Sequence, residues 1–370
     1  MYNCIWSMKK VLIVFNHPAP YKVRLFNELA KSFDLHVIFE RKTASDRQKG
    51  FYYEKQYQFN SHKIHGLSIG KENFISRGVI RELKNNKYDL IIMNGYSTLC
   101  EMKTISYLKR KNIPYVFYIN GGLTNENESK LKHKIKTHFI GGAKAYLSPD
   151  EISNKYLTYY GADKNKIFNY PYSTIFENEI LASETNKKQL RKDLNINYEK
   201  LFVSSGQLIK RKNYMFLVKE WQNMPENYGF FIFGEGKQRK QIEKLIKTNN
   251  IKNVELKGFT PRKEMFQYFK AADAFIFGSK EDIYGHVINE ALSQGLPVIS
   301  TKNVNSAIHL IKNNFNGFLF DELNSQEMIE AISKLDKENY FKNCIMTAKE
   351  NTIEKMAQTH IGIFERILSR

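Results

Sequence analysis

The sequence predicts an α/β fold in which two doubly wound domains follow one another. Three observations predict it. The 370 residues exceed one ordinary domain and suit two, at roughly 100–200 residues each. Short, continuously apolar runs alternate with helix-period segments, the rhythm of a parallel sheet with helices on both faces. That rhythm stops over 173–199, where the chain turns polar, and restarts at Leu201.

In order, the first half reads as a strand VLIVF at 11–15, a helix YKVRLFNELAKSF, and a strand LHVIF at 35–39. A strand DLIIMNG follows at 89–95, then a helix over 98–111, a strand PYVFYING at 114–121, a strand AYLSP at 145–149 and a helix DEISNKYLTYYG stopped by Gly161. Residues 40–75 carry no pattern that assigns an element. The second half begins with LFVSSG and a helix from Asn213. It continues with GFFIFGEG at 229–236, a helix over 237–248, NVELKGF at 253–259 and a helix from Pro261, and closes with AFIFGS at 274–279, LPVIST at 296–301 and GFLF at 317–320. This gives a first domain over 1–172, a linker over 173–199 and a second domain over 200–350. A last helix over 351–370 is expected to pack back on the first domain.

Composition excludes several classes. With 42% hydrophobic and 26% charged residues the chain is globular and neither disordered nor collagen-like. No run approaches the roughly 20 apolar residues of a spanning helix. The segment before Lys9 and Lys10 is too short and too weakly apolar for a secretory signal. Cys4, Cys100 and Cys344 lack metal-ligand spacing, and an odd number suits a reducing cytoplasm better than a disulfide framework. The formal charge is +19, unevenly spread: residues 1–170 hold 28 Lys+Arg against 14 Asp+Glu, the remainder 29 against 24. Such a field draws polyanions, whether nucleic acid, an anionic lipid surface or a phosphate-bearing substrate.

In doubly wound sheets ligands bind beyond the carboxyl ends of the strands, so the loops after strands are where chemistry is sought. Gly278 to Ala291 follows an apolar strand and opens a helix, and the amides of Gly285, His286 and Val287 stand at that helix start, where a phosphate is favoured. Asp282 and Glu290 are eight positions apart, and each carboxylate suits a vicinal pair of sugar hydroxyls; their plainer reading is a helix cap and an exposed helical acid. Gly206 opens a loop leading to Lys210, Arg211 and Lys212, cations that suit a departing diphosphate or merely solvent. Gly234 and Gly236, and Gly258 with Phe259, mark two further strand-end loops.

The ordered segments GQLIKRKN, FGEG, KGFTPRKEMFQYFKAADAFIFGS and EDIYGHVINEALSQGLPVIST resemble the donor-binding domain of retaining glycosyltransferases of family four. The resemblance covers about residues 200–320. It implies the GT-B fold, two Rossmann-like domains facing across a cleft, and a nucleotide diphosphate sugar, UDP-linked, as cosubstrate. The family's Glu-x7-Glu element is matched by Asp282 and Glu290. The resemblance implies that Glu290 holds the ribose, while Asp282 and the amides of Gly285 to Val287 address sugar and phosphate. Gln207 stands where the family has Arg; Lys212 matches the family Lys, and Arg211 is expected to supply the second cation. No Asp-x-Asp occurs, so no metal is expected and the cations must neutralise the diphosphate.

The first domain resembles the family more loosely. His17, Pro20, Tyr21 and Lys22 after the first strand, with Asn120 and Gly121 after YVFYI, occupy the places where acceptor and diphosphate are expected. Asn at 120 cannot act as a general base. In the helix 129–140, Leu131, Ile135 and Phe139 form a stripe among lysines, which suits an anionic membrane surface or plain packing on the sheet. The expected protein is therefore a metal-independent, retaining hexosyltransferase, peripheral on the cytoplasmic face of the membrane. Its expected acceptor is a lipid-linked oligosaccharide of cell-surface polysaccharide synthesis. A sugar phosphorylase or nucleotide-sugar epimerase of the same fold is the alternative. A nucleic-acid-binding protein is disfavoured, since no helix-turn-helix, zinc finger or RNP-type strand is present.

Overall fold

The computed structural model describes residues 8–43, 52, 56–69, 73–335 and 339–369. The chain forms two compact units, 1–172 with 353–370 and 173–352. In the first, β1 (Lys10–Phe15), α1 (Pro20–Leu29) and β2 (Asp34–Phe39) precede β3 (Asn60–Lys63) and a small antiparallel hairpin of β4 (Leu67–Ile69) and β5 (Asn73–Ile75). There follow α2 (Gly78–Asn85), β6 (Leu90–Asn94), α3 (Leu99–Arg110), β7 (Val116–Tyr118), α4 (Lys130–Ile140), β8 (Ala145–Ser148), α5 (Glu151–Tyr159) and β9 (Ile167–Asn169).

The second unit holds α6 (Lys187–Asp193), β10 (Lys200–Ser205), α7 (Tyr214–Trp221), β11 (Tyr228–Phe233), α8 (Arg239–Thr248), β12 (Val254–Gly258), α9 (Arg262–Ala271) and β13 (Ala274–Phe277). It continues with α10 (Val287–Ser293), β14 (Val298–Thr301), α11 (Asn305–Leu310), β15 (Gly317–Phe320), α12 (Ser325–Lys334) and α13 (Phe341–Lys349). The last helix, α14 (Ile353–Leu368), belongs to the first unit and packs on α1.

Both sheets are parallel, in the orders β3-β2-β1-β6-β7-β8-β9 and β12-β11-β10-β13-β14-β15. Each order reverses beside its first strand, between β1 and β6 and between β10 and β13, and such a reversal opens a crevice beyond the strand ends. The central strands are buried on both faces, Val11 to Phe15, Phe230 to Phe233 and Ala274 to Phe277 without interruption, because helices cover both sides. Local signals set the helix starts. Thr98 and Glu101 form a reciprocal cap on α3, and Asp150 caps α5 through its side chain.

Three parts of the chain differ from the elements that the sequence suggests. Residues 60–75, unassigned above, hold β3, β4 and β5. Residues 173–199, read as a linker, contain α6, and Arg191 on that helix is fixed to Asp273 by a 2.5 Å ion pair. The stripe on α4 is divided: Leu131 and Ile135 are 68% and 41% exposed, whereas Phe139 stacks on Tyr96 with ring centroids 5.8 Å apart.

Candidate functional site

The strand-end loops of the second unit touch one another through glycines. Gly206 N donates to Phe233 O at 2.9 Å, Gly234 N to Gly258 O at 2.7 Å, and Leu208 N to Glu235 O at 2.9 Å. A Cβ on Gly234 would lie 2.0 Å from Gly206 O, and one on Gly236 would lie 2.4 Å from Leu208 O. A side chain is therefore excluded at Gly234 and at Gly236. Beyond Gly258, whose φ is +75°, Phe259 projects its ring with 54% exposure.

The crevice between β10 and β13 holds the charged residues. After Leu208 the chain makes a single 3-10 turn, Lys210–Lys212, and leaves it through Asn213 at φ 59°. This turn is laced to the loop after β13: Lys280 N and Ser279 Oγ donate to Arg211 O at 2.9 and 3.1 Å. Lys212 Nζ forms an ion pair with Asp282 Oδ2 and lies 4.6 Å from the centre of the Phe277 ring. Arg211 Nη1 reaches Asp282 Oδ1 at 3.5 Å and donates to Glu281 O at 2.7 Å. Asp282 is fixed from the other side, its amide donating to Asn303 O at 3.0 Å. A Cβ on Gly285, at φ +90°, would meet Val304 at 2.8 Å and Asp282 Cγ at 3.7 Å. Two cations and one carboxylate thus share one partly buried place at the sheet's switch point.

Glu290 lies in the first turn of the seven-residue α10. Its Oε1 accepts from Thr174 Oγ1 at 3.1 Å and lies 3.9 Å from Arg262 Nε. His286 precedes the helix with its ring 5.0 Å from that of Tyr284, and Val287 is its half-buried first residue. Sequence reasoning gave no role to Thr174 or Arg262. Thr174 lies in the polar stretch before the second domain, and Arg262 reads as one more exposed cation at a helix start.

In the first unit the candidate residues divide. Pro20 opens α1 at its first position, where a missing N–H costs nothing. Tyr21 and Tyr172 hydroxyls are 3.2 Å apart, and His17 Nδ1 lies 3.3 Å from Tyr52 Oη. Asn120 Nδ2 donates to Asn94 Oδ1 at 3.0 Å across the ends of β7 and β6, beside Gly121 at φ 136°. Lys22 corrects the expectation of a phosphate contact. Its side chain is fully buried, Nζ donates to Tyr118 Oη, and the rings of Tyr118 and Tyr172 each lie 4.5 Å away. The reason is helical period: residues 22, 26 and 29 share the core face of α1. Burial draws the Lys22 amine well below the ordinary lysine range.

Among the described residues no group of three His, Cys, Asp or Glu side chains is placed to hold a metal ion. Nor is any described helix long and apolar enough to cross a membrane.

Comparison with known proteins bears on this arrangement. Residues 186–352 match the family model for glycosyl transferases group 1. The chain is 25% identical over 303 residues to an uncharacterized glycosyltransferase of Methanocaldococcus jannaschii, covering 74% of this chain and 85% of that one. It is 24% identical over 165 residues to a lipopolysaccharide core biosynthesis glycosyltransferase of Rhizobium meliloti, 44% of this chain and 45% of the relative. HepE of Anabaena, solved in complex with UDP, superposes with a TM-score of 0.79 at 17% identity, over 96% of this chain and 100% of that one. The structural likeness shows the fold: the two units are those of GT-B proteins.

Proposed function

We propose that the protein is a retaining, metal-independent glycosyltransferase that moves a hexose from a UDP-linked sugar to a lipid-linked saccharide. The observation that carries this reading is the meeting of Arg211 and Lys212 with Asp282 at the switch point of the second sheet. In the free protein Asp282 balances the two cations. A nucleotide diphosphate sugar brings its own negative charge to that place. The cations then hold the diphosphate, and Asp282 is released to accept hydroxyls of the sugar. The loops joined at Gly206, Gly234 and Gly258 leave backbone surface for the nucleotide, with Phe259 offering a face for the base.

The transfer forms a bond from the acceptor oxygen to the anomeric carbon and breaks the bond to the diphosphate, which leaves with the electron pair. Arg211 and Lys212 stabilise the charge that develops on the leaving oxygen. Retention follows when the acceptor attacks from the face that the diphosphate vacates and a diphosphate oxygen takes the acceptor proton. The match to the group 1 family over 186–352 and the UDP held by HepE support the donor class. The Rhizobium relative's part in lipopolysaccharide core synthesis supports a lipid-linked acceptor. On α4, exposed Leu131 and Ile135 among lysines support peripheral contact with an anionic cytoplasmic membrane surface. The acceptor is assigned to the first unit, beside His17, Tyr21, Asn120 and Gly121.

The test is transfer from a panel of nucleotide sugars to a polyprenyl-linked saccharide carried in anionic vesicles. Product is expected with one UDP-sugar, without added metal. Lys212→Ala is expected to lower kcat by roughly 100-fold, the scale on which one stabilising donor is lost. Unchanged turnover in Lys212→Ala and Glu290→Ala, both folded, would reject the assigned site. Turnover of the donor without any acceptor would instead favour an epimerase.

A further inference from the structure

Among the described residues, both contacts of the Glu290 carboxylate fall on one of its oxygens. Thr174 Oγ1 donates to Oε1, Arg262 Nε faces the same atom, and the side chains of Glu290 and Arg262 are only 16% and 22% exposed. The guanidinium is itself held. Nη1 donates to Thr174 O at 3.0 Å, Nη2 lies 3.5 Å from Glu179 Oε2, and Cζ sits 5.0 Å from the centre of the Phe266 ring. Glu179 is fixed in turn, its Oε2 accepting from Phe176 N at 2.8 Å and its carbonyl accepting from Gln294 Nε2 at 3.0 Å.

Arg262 also begins α9, three residues after the exposed Phe259. One side chain therefore ties the loop after β12 to the acid on α10 and to the segment that carries Thr174. A planar guanidinium engaged at several points has little freedom left, so its charge stays beside Oε1 while the Thr174 hydroxyl orients the carboxylate. Orienting a group before the ligand arrives removes that ordering cost from binding. With Oε1 occupied, Oε2 is the oxygen left to accept from a ligand hydroxyl.

We infer that Arg262, with Thr174, is the positioning residue that presents Glu290 Oε2 to the ribose hydroxyls of the donor, and so sets the preference for a ribonucleotide over a deoxyribonucleotide. This rests on the reading of Glu290 as the ribose-binding acid. Neither residue touches the reacting atoms; both act through Glu290.

Titration calorimetry of the full chain with UDP, 2′-deoxy-UDP and 3′-deoxy-UDP tests it. Wild type is expected to bind UDP at least about tenfold more tightly than the weaker of the two analogues, the scale of one hydrogen bond to a charged group. In Arg262→Gln that ratio is expected to fall toward one, with Arg262→Lys between, because an ammonium keeps the charge without the fork. Thr174→Val, which leaves the guanidinium in place, is expected to reduce the ratio as well. A purely structural role for Arg262 would weaken UDP and its deoxy analogues by the same factor, and an unchanged ratio in Arg262→Gln and Thr174→Val overturns the inference alone. No UDP binding by wild type, or a ratio that survives Glu290→Ala, overturns the donor reading and the inference together. Thermal unfolding of each variant separates loss of fold from loss of selectivity.

Discussion

Lys22 occupies a setting that ordinarily expels an ammonium. Its side chain is fully buried, it donates to the Tyr118 hydroxyl, and five aromatic rings lie within 6 Å of Nζ. Ring faces attract a cation, yet burial costs it more, which is why the amine is drawn well below its usual range. Replacing such a group with an apolar side chain of similar length removes the desolvation cost. Lys22→Met is therefore expected to keep the unfolding free energy from denaturant titration within about 1 kcal/mol of wild type or to raise it, and to leave donor KM unchanged. A folded Lys22→Met that no longer binds UDP would return Lys22 to the phosphate site. The sequence could not disclose this setting, because Pro20-Tyr21-Lys22 reads as a loop edge and the rings that enclose Nζ come from positions as distant as 118, 170 and 172. The Lys212 to Asp282 pairing is different: both residues lie in strand-end loops whose place the apolar runs had already fixed.

The strands are legible because a strand buried on both faces must be apolar throughout, and runs such as Val11 to Phe15, Phe230 to Phe233 and Ala274 to Phe277 lie in strands of the parallel sheets; Tyr214 to Val218, equally apolar, is instead the start of α7. Elements that lack that pressure are not. β3 is Asn-Ser-His-Lys on the edge of its sheet, and α6 buries no residue of its own. The strand-end glycines show the same constraint from the other side. At Gly234, φ is +136° and an added Cβ would overlap Gly206 O, whereas at Gly95, with φ +80°, nothing lies within 4 Å. Gly95→Ala is thus expected to cost about 1 kcal/mol of backbone strain. Gly234→Ala is expected to cost roughly 3 kcal/mol or more by forcing the two loops apart, with loss of UDP binding. Denaturation midpoints together with UDP titrations of the two variants check the contrast.

At the scale of the whole molecule, two buried acids make stability depend on pH. Glu40 and Glu101 lie at the carboxyl edge of the first sheet, with Thr98 donating to both, through Oγ1 to Glu40 at 2.9 Å and through its amide to Glu101 at 3.0 Å. Burial pushes both carboxyls up, Glu40 to about 7 and Glu101 to about 8, against a partial downward pull from the Thr98 hydrogen bonds. The folded unit therefore holds protons that the unfolded chain releases near pH 4.5. Their contribution is full below that pH and is lost as pH rises toward 7 to 8. Glu101→Gln keeps an acceptor for the Thr98 amide but does not titrate. Its melting temperature relative to wild type is expected to rise between pH 5.5 and pH 8.5, and a difference flat across that range contradicts the assignment.

The return of α14 to the first unit bears on how the protein is made. Its Phe364 ring packs 5.6 Å from Phe33, and Met356, Ile363 and Ile367 are buried with it. Translation delivers those side chains only after residues 173–352 have emerged. The later-numbered unit, being contiguous, can mature while the earlier one still waits with the flank of α1 uncovered, so vectorial synthesis allows the two to be completed in the reverse of their genetic order.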